Sequence, residues 1–409
     1  LHFETLVQQE CRRSFQMPNY VIKCARIFTP EASDFNRIYV RDDKIVHLSR
    51  HSAARSDADG SPAVDIPQAY LQGFEELDFS ELIAVPGFID LQMNGSSTCN
   101  FWQDISADQL EALRLEQAQH GVTTFLPTLI TDSLENLKRH RDFLTSHGLG
   151  DTGNQRGLAR MPGLHLEGPC LSPQKPGVHP VEHIQPLSLE VIKELVPAGS
   201  REVLLMTAAL EGDPAGSVQN YLQNQQVALS LGHSNATYEE AQRAFARGCR
   251  LMTHTFNALP PLHHRQPGAV GAALLDERVS CCLIADGLHL APQICALIVK
   301  IKGLDRTILV TDRAAVGTSQ GNLVGSSIIL NEAVVNMIDW GICDLAGAVR
   351  MASTNAAAAI GRAQSLGQLG SGFLADIAFL DQDLKVRKTM VGGTLTPVEK
   401  SPALTCHRQ

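Results

Sequence analysis

Apolar residues recur along the middle of the chain in short runs, with segments of helical spacing between them. Eight runs have the length and composition of buried strands: 88–93, 123–130, 163–166, 203–208, 227–231, 251–255, 281–285 and 308–311. The segments between them, such as 107–118, 134–144, 238–246 and 292–301, carry apolar residues at amphipathic-helix spacing. Eight strand–helix units are what a (β/α)8 TIM barrel requires.

Both chain ends predict short strands and turns without a long amphipathic helix. The strand-like runs are 20–28, 37–41, 44–48 and 82–85 near the start, and 376–380 and 386–391 near the end. We therefore predict an α/β fold with two parts. Residues 87–365 form the (β/α)8 barrel, while 17–86 and 366–400 form a small β-sandwich domain built from both chain ends. Residues 1–16 are predicted to be a disordered extension.

Composition and charge limit the classes of function that this protein can have. The chain has 409 residues, of which 44% are hydrophobic and 19% charged, which is typical of a globular enzyme. A net charge of −9 argues against a nucleic-acid partner. No apolar stretch has the length of a membrane span, and no signal peptide is recognisable. The ten cysteines are scattered without a CxxC pair, so we expect reduced thiols and a cytoplasmic protein.

Four of the predicted strands end at a polar side chain with catalytic potential: Glu167, His233, His254 and Asp312. These side chains should converge, because the carboxyl ends of barrel strands meet on one face. One carboxylate and two imidazoles suit a divalent ion that keeps a position for water. We expect one zinc ion, with iron, cobalt or manganese as alternatives. Asp312 either caps the following helix or serves as a base beside the metal.

Several motifs in family order resemble the N-acetylglucosamine-6-phosphate deacetylases of the amidohydrolase superfamily. The matching segments are 86–95, 124–130, 164–169, 177–180, 232–237, 253–258, 265–268, 285–289 and 309–312. The segment 164–169, for example, reads Leu-His-Leu-Glu-Gly-Pro. The resemblance implies hydrolysis of N-acetyl-D-glucosamine 6-phosphate to D-glucosamine 6-phosphate and acetate by metal-activated water.

The resemblance also implies catalytic roles. Asp312 is expected to take a proton from water and pass it to the leaving amine, while His179 contacts the substrate and polarises its carbonyl. Gln92 and Asn94 stand where most amidohydrolases carry a His-x-His pair for a second metal. This Gln-x-Asn version implies a single-metal site, because amides are poor zinc ligands. The two amides are expected to border the substrate, or else to bond only the loop backbone.

The same resemblance places the 6-phosphate of the substrate against four residues: Asn257, the backbone of Ala258, Arg265 and His289. A guanidinium fork and backbone N–H groups suit a phosphate dianion. Alternatively, Arg265 is a solvated loop residue.

The segment after Asp312 departs from the family pattern. Arg313 replaces a small residue, and Gly325-Ser-Ser327 arrives early by about two strands. Arg313 could stabilise the Asp312 carboxylate and weaken it as a base, or intrude on the substrate. Alternatively, it points away and pairs with a surface acid.

Two other functions therefore stay open beside the deacetylase. One is deacylation of another N-acylated amino sugar or amide; the other is a catalytically impaired homologue that binds metal or sugar phosphate. For each, the expected partner is a small molecule, with no nucleic acid and no membrane. The resemblance implies a homodimer.

Overall fold

The computed structural model describes residues 18–29, 34–50, 71–150, 156–315, 317–319 and 322–397. The predicted extension, residues 1–16, lies outside the described residues, as do parts of both predicted end segments. The boundaries of the two parts of the chain stay predictions.

Strands from both chain ends form one seven-stranded sheet. They are β1 (Asn19–Ile27), β2 (Arg37–Arg41), β3 (Lys44–Ser49), β4 (Phe74–Pro86), β15 (Ile377–Leu380), β16 (Val386–Val391) and β17 (Thr394–Leu395). Their order across the sheet is β17-β16-β15-β4-β1-β2-β3. The sheet curls, because Ile45 N–H on β3 donates to the Phe373 carbonyl just before β15, at 2.9 Å. The curled sheet encloses its own apolar core, which includes Ile22, Ile38 and Phe379.

Strand β4 is much longer than the four residues that the sequence predicted. In its first half, apolar and polar residues alternate poorly and many of the exposed side chains are acidic. This half therefore carries no buried-strand pattern. It is a strand because it pairs in parallel with β1, in a register that begins with Asn19 opposite Phe74. The backbone hydrogen bonds to β1 therefore define this segment as a strand, although its hydrophobicity pattern does not.

Eight parallel strands form the central sheet, and their order follows the chain. They are β5 (Phe88–Met93), β6 (Val122–Ile130), β7 (Leu164–Glu167), β8 (Val203–Ala208), β9 (Ala228–Leu231), β10 (Leu251–Met252), β11 (Ser280–Leu283) and β12 (Thr307–Leu309). The strands are buried almost throughout, as expected for a parallel sheet covered by helices. The predicted α/β barrel with a second sheet from the chain ends is confirmed.

Helices follow the strands and cover the barrel. They are α1 (Ala107–Gln119), α2 (Leu134–Ser146), α3 (Leu189–Leu195), α4 (Ser217–Asn224), α5 (Tyr238–Ala246), α6 (Gly268–Leu275), α7 (Pro292–Lys302), α8 (Leu330–Asp339), α9 (Leu345–Ala352) and α10 (Thr354–Ala359). Ser106 and Thr237 begin α1 and α5 with capping boxes. Such caps satisfy the free N–H groups of the first turn and explain where these helices begin.

Two barrel segments differ in detail from the prediction. Strand β10 ends at Met252 instead of continuing to residue 255, because His254 and Phe256 adopt positive φ angles that turn the chain out of the strand. The shortened segment after Asp312 still contains an antiparallel hairpin, formed by β13 (Gly317–Ser319) and β14 (Asn322–Val324).

A buried ion pair joins the barrel to the terminal sheet. Arg160, which lies between α2 and β7, donates through Nη1 to Asp376, the residue before β15. Asp376 also accepts the Gly392 backbone N–H at 2.7 Å, and its own carbonyl accepts from Gly87 N–H at 2.9 Å. The carboxylate thus holds both units at their junction.

Two other sequence expectations can be compared with the structure. All cysteines in the described ranges are free thiols. Among the described helices, none combines the length and hydropathy that crossing a bilayer demands.

Candidate active site

Glu167, His233 and His254 meet at the carboxyl ends of β7, β9 and β10. Glu167 is the last residue of β7, and each histidine follows its strand by two residues. Both histidines have positive φ angles, 47° and 24°, which bend the chain as it leaves the strand. Glu167 Oε1 lies 3.0 Å from His254 Nε2 and 3.3 Å from His233 Nε2. The two Nε2 atoms are 3.1 Å apart, so three donor atoms converge on one point.

The chemistry of these donor atoms fits a divalent cation. His233 Nδ1 bonds the Lys175 carbonyl at 3.0 Å, and must therefore carry its proton. The lone pair of His233 Nε2 then faces His254 Nε2, an arrangement that a shared cation stabilises. Burial alone would raise the pKa of Glu167, but the two nearby imidazoles of His233 and His254 outweigh it and hold that pKa well below its usual value. The three buried residues thus form a possible metal site.

Asp312 lies beside this group and is held by two amides. Gln92 Nε2 donates to Asp312 Oδ1 at 3.0 Å and to Glu167 Oε1 at 2.8 Å. Asn94 Nδ2 donates to the same Asp312 oxygen at 2.6 Å. Both amides thus present N–H groups to the carboxylates, which does not suit a second cation at this position. Burial, followed by the charge of Glu167, raises the pKa of Asp312 to about 6.

His179 is buried on the other side of Glu167, with Nε2 3.9 Å from Oε2. Its Nδ1 accepts the Thr131 backbone N–H at 3.2 Å, so its Nε2 carries the proton. Burial and the neighbouring imidazole of His233 lower the pKa of His179 to about 3. A neutral imidazole that directs an N–H into the site can donate to a substrate carbonyl.

A cavity of about 360 Å³ opens above these groups. The described residues that line it are Asn94, Trp102, Ile130, Glu167, Gly177, Val178, His233, His254, Asn257, Ala258, His289, Asp312, Val324 and Gly325. Four of these residues, Trp102, Ile130, Val178 and Val324, were not predicted as site residues. Trp102 and Val324 lie outside the matching motifs, while Ile130 and Val178 lie inside two of them without a polar group that would indicate a role. They add apolar surface to the lining of the cavity.

Three of the four residues expected to bind phosphate line this cavity: Asn257, Ala258 and His289. His289 Nδ1 bonds Asp286 Oδ2 at 2.6 Å, and the other Asp286 oxygen accepts the backbone N–H groups of Leu288 and His289, each at 2.8 Å. Arg265 is exposed and is not among the lining residues. Its phosphate contact therefore stays a prediction.

Arg313 does not enter the site. Its guanidinium is buried and donates through Nη2 to Glu116 on α1, at 2.7 Å. Glu116 is partly exposed, so the interpretation that Arg313 pairs with a surface acid is the one that the structure supports. Arg313 is absent from the residues lining the cavity. The Arg313 side chain therefore does not intrude on the cavity.

A buried polar chain crosses the barrel beneath the three possible ligands. His165 Nε2 contacts Thr207 Oγ1 at 2.8 Å, Thr207 contacts Thr253 Oγ1 at 2.7 Å, and Thr253 contacts Ser230 Oγ at 2.5 Å. Burial lowers the pKa of His165 to about 4, so this imidazole is neutral. The chain supports the strand ends from below without contributing a charge.

This fold and site define a class of proteins: barrel hydrolases that use a bound metal to cleave amides. The chain belongs to the amidohydrolase family, whose model matches residues 83–396.

The similar proteins are consistent with this assignment. An N-acetylglucosamine-6-phosphate deacetylase of Haemophilus influenzae is 33% identical over 80% of this chain and 90% of its own. An N-acetylgalactosamine-6-phosphate deacetylase of Escherichia coli O157:H7 is 31% identical over 76% of this chain and 86% of its own. The crystal structure of N-acetylglucosamine-6-phosphate deacetylase from Pasteurella multocida has a TM-score of 0.80 at 29% identity. That match covers 93% of this chain and 100% of the other. The family resemblance expected from the motifs is confirmed.

Proposed function

We propose that this protein hydrolyses N-acetyl-D-glucosamine 6-phosphate to D-glucosamine 6-phosphate and acetate. The observation that carries the proposal is the convergence of Glu167, His233 and His254 beside Asp312 in one cavity. Relatives that share most of the chain and are named as deacetylases of this substrate support it.

Glu167, His233 and His254 would hold one divalent metal ion. When bound, such an ion polarises the acetamide carbonyl as a Lewis acid and makes water more nucleophilic. Zinc is the metal we propose, since one carboxylate and two imidazoles suit it, with iron, cobalt or manganese as alternatives.

Asp312 carries the proton in the proposed reaction. Its Oδ1 is occupied by Gln92 and Asn94, which leaves Oδ2 to accept a proton from the attacking water. The water oxygen bonds to the carbonyl carbon while His179 Nε2–H donates to the carbonyl oxygen. Asp312 then returns its proton to the nitrogen as the C–N bond breaks, which releases the amine and acetate.

The phosphate would bind at the opposite side of the cavity. His289 is oriented by Asp286, so its Nε2 is available to the ligand. Asn257 and the backbone of Ala258 supply further polar contacts. Arg265 would join them only if its loop moves toward the cavity.

A second substrate is specifically favoured by one relative, the N-acetylgalactosamine-6-phosphate deacetylase from Escherichia coli O157:H7. Acetate release should therefore be measured with both N-acetylhexosamine 6-phosphates and with unphosphorylated N-acetylglucosamine, alongside the metal content of the purified protein. A higher kcat/KM for the glucosamine phosphate supports the proposal. Preference for the galactosamine phosphate, or indifference to phosphate, favours the other deacylase. Tight binding without acetate release indicates the impaired homologue.

We also propose that the protein acts as a homodimer in the cytoplasm. Large apolar side chains are exposed on α7, at the end of α6 and in the adjoining loops; they are Leu262, Leu275, Leu288, Leu297 and Ile301. Exposed apolar side chains on adjoining elements support a surface for association. Light scattering of the purified chain tests the dimer, and cell fractionation tests the compartment.

A further inference from the structure

Asp90 is a fully buried carboxylate that the proposed reaction does not use. It lies on β5, two residues before Gln92, and has no solvent exposure. No ion pair to Asp90 occurs among the described residues. Its oxygens instead accept three hydrogen bonds: from the Thr311 hydroxyl, from Thr311 N–H at 3.2 Å and from Gln92 N–H at 3.2 Å. A buried carboxylate without a cation is costly, so a neutral residue would fill this place more cheaply.

The position of Asp90 in the barrel indicates why a carboxylate is there. The central sheet runs from β5 to β12, and among the described residues no ladder of strand bonds joins these first and last strands. Backbone bonds connect the two just beyond β12, where Asp312 N–H donates to the Gln92 carbonyl and Asn94 N–H donates to the Arg313 carbonyl, each at 2.8 Å. The junction between β5 and the segment that follows β12 is the seam of the barrel. The Asp90 carboxylate bridges this seam immediately below these bonds.

Asp312 depends on the alignment of this seam. Its φ of 51° is strained for a residue with a side chain, so surrounding contacts must hold it. Both amides that bond Asp312 Oδ1 come from the segment Gln92–Asn94 at the end of β5. A shift of β5 against β12 would therefore move Asp312 relative to the amides and to Glu167.

We propose that Asp90 is a positioning residue for the hydrolysis. Through Thr311 and the backbone of Gln92, its carboxylate keeps the end of β5 in register with Asp312. Its contribution to the reaction rests on the proposed function, because Asp312 is the proton carrier only there.

The test uses isosteric changes on both sides of the seam, in the full-length metal-loaded protein. We expect Asp90→Asn and Thr311→Val each to lower kcat by about 10- to 100-fold, the effect of a small misplacement of a reacting group. KM and metal content should stay within about twofold of wild type. Thr311→Ser keeps the hydroxyl and should recover most of the activity that Thr311→Val loses. The double variant should be no worse than the more impaired single variant, because both changes remove the bond between the Thr311 hydroxyl and Asp90. Thr311→Val also removes the bond that this hydroxyl accepts from Arg313 N–H at 3.1 Å.

Asp376→Asn is the matched control, because it neutralises another buried aspartate far from the cavity. It should lower the resistance to urea without changing kcat. The proposal is overturned if Asp90→Asn and Thr311→Val behave like this control, with kcat per metal-loaded molecule at the wild-type level. If Asp90→Asn does not fold, Thr311→Val decides: the proposal fails if its kcat equals that of Thr311→Ser.

A readout that needs no substrate separates this proposal from the proposed function. Crystal structures of the wild-type and Thr311→Val proteins compare the Asp312 carboxylate directly. If it is displaced from the two amides in the variant, Asp90 and Thr311 position it whatever the substrate is. An unmoved carboxylate overturns the positioning role, even if the wild-type protein is an active deacetylase.

Discussion

Asp312 is the residue whose geometry agrees most closely with the proposed chemistry. Two amides bond one of its oxygens, and burial raises its pKa to about 6, so it can exchange a proton near neutral pH. Asp312→Asn removes this exchange while preserving the shape of the side chain. We expect kcat to fall by about 10²- to 10⁴-fold, the usual contribution of a general base. Steady-state kinetics and metal analysis on one preparation test this, and metal content should not change.

Arg313→Met is the control for Asp312→Asn, since it alters the neighbouring residue on the same turn. Arg313 pairs with Glu116 on α1 and lies outside the cavity lining. Its loss should leave kcat unchanged. A large fall in kcat for Arg313→Met, or near-normal turnover for Asp312→Asn, would contradict the roles assigned here.

Asp286 offers a second prediction for a single residue, in substrate binding. Its carboxylate bonds His289 Nδ1 at 2.6 Å and orients the imidazole next to the proposed phosphate. Asp286→Asn keeps the shape but loses the charge. We expect KM for the phosphorylated substrate to rise about tenfold, corresponding to the energy of one hydrogen bond to a charged group. The kcat value for the phosphorylated substrate should not change, and neither should kcat/KM for unphosphorylated N-acetylglucosamine. Equal losses with both substrates would contradict a phosphate-specific role.

The sequence predicted those site residues that follow a strong apolar run, because a strand end at the carboxyl face of a barrel is a position with known consequences. It missed Trp102, whose loop has no periodicity from which its direction can be inferred. Asp90 and His165 were missed for another reason, since each lies inside a strand that was interpreted as apolar. A signal did exist: each precedes a site residue by two positions and therefore points to the same face of its strand.

At the level of elements, the loop between β7 and α3 connects the metal site with His179. His233 Nδ1–H donates to the Lys175 carbonyl, and Gly177 packs directly against the same imidazole. A Cβ at Gly177 would lie 2.9 Å from His233 Cε1, and the φ of 58° disfavours any side chain. We expect Gly177→Ala to weaken metal affinity by about 10- to 100-fold, as other changes behind a metal ligand do.

Competition with a coloured chelator measures that affinity. Gly199→Ala is the matched control, because Gly199 also has a positive φ, 82°, but its Cβ would meet nothing within 4 Å. The control should bind metal like wild type. Equal weakening in both variants would indicate backbone strain as the cause, and not contact with His233.

Element boundaries were predictable where burial and pairing agree. The strands Phe88–Met93 and Val203–Ala208 are buried almost throughout, and the sequence placed both correctly. Strand Phe74–Pro86 was underestimated because parallel pairing with β1 defines its acidic half. Strand Leu251–Met252 was overestimated, since the apolar and hydroxyl run continues into residues that adopt positive φ. The amino-acid composition of the run does not indicate the backbone bend that the site residues impose after the strand.

For the whole molecule, the sequence could indicate that both chain ends form one small β domain, but not what joins that domain to the barrel. The connection includes the buried pair Arg160–Asp376, whose members are 216 positions apart in the chain. Neither residue lies in a motif. An interaction between positions so far apart becomes visible only when the two units are packed together.

Arg160→Met tests how much this junction contributes to stability. The variant keeps much of the side-chain volume but leaves Asp376 buried without its cation, and breaking a buried pair in this way costs about 3–5 kcal/mol. Urea unfolding at a fixed metal concentration should show that loss. Arg350→Met is the control, because Arg350 pairs with Asp305 at the surface, where an ion pair contributes about 1 kcal/mol or less. The kcat of both variants should match wild type under folding conditions, since neither arginine lines the cavity. Similar stability losses in the two variants would show that the terminal sheet is held to the barrel by its apolar contacts, and that the Arg160–Asp376 pair adds little.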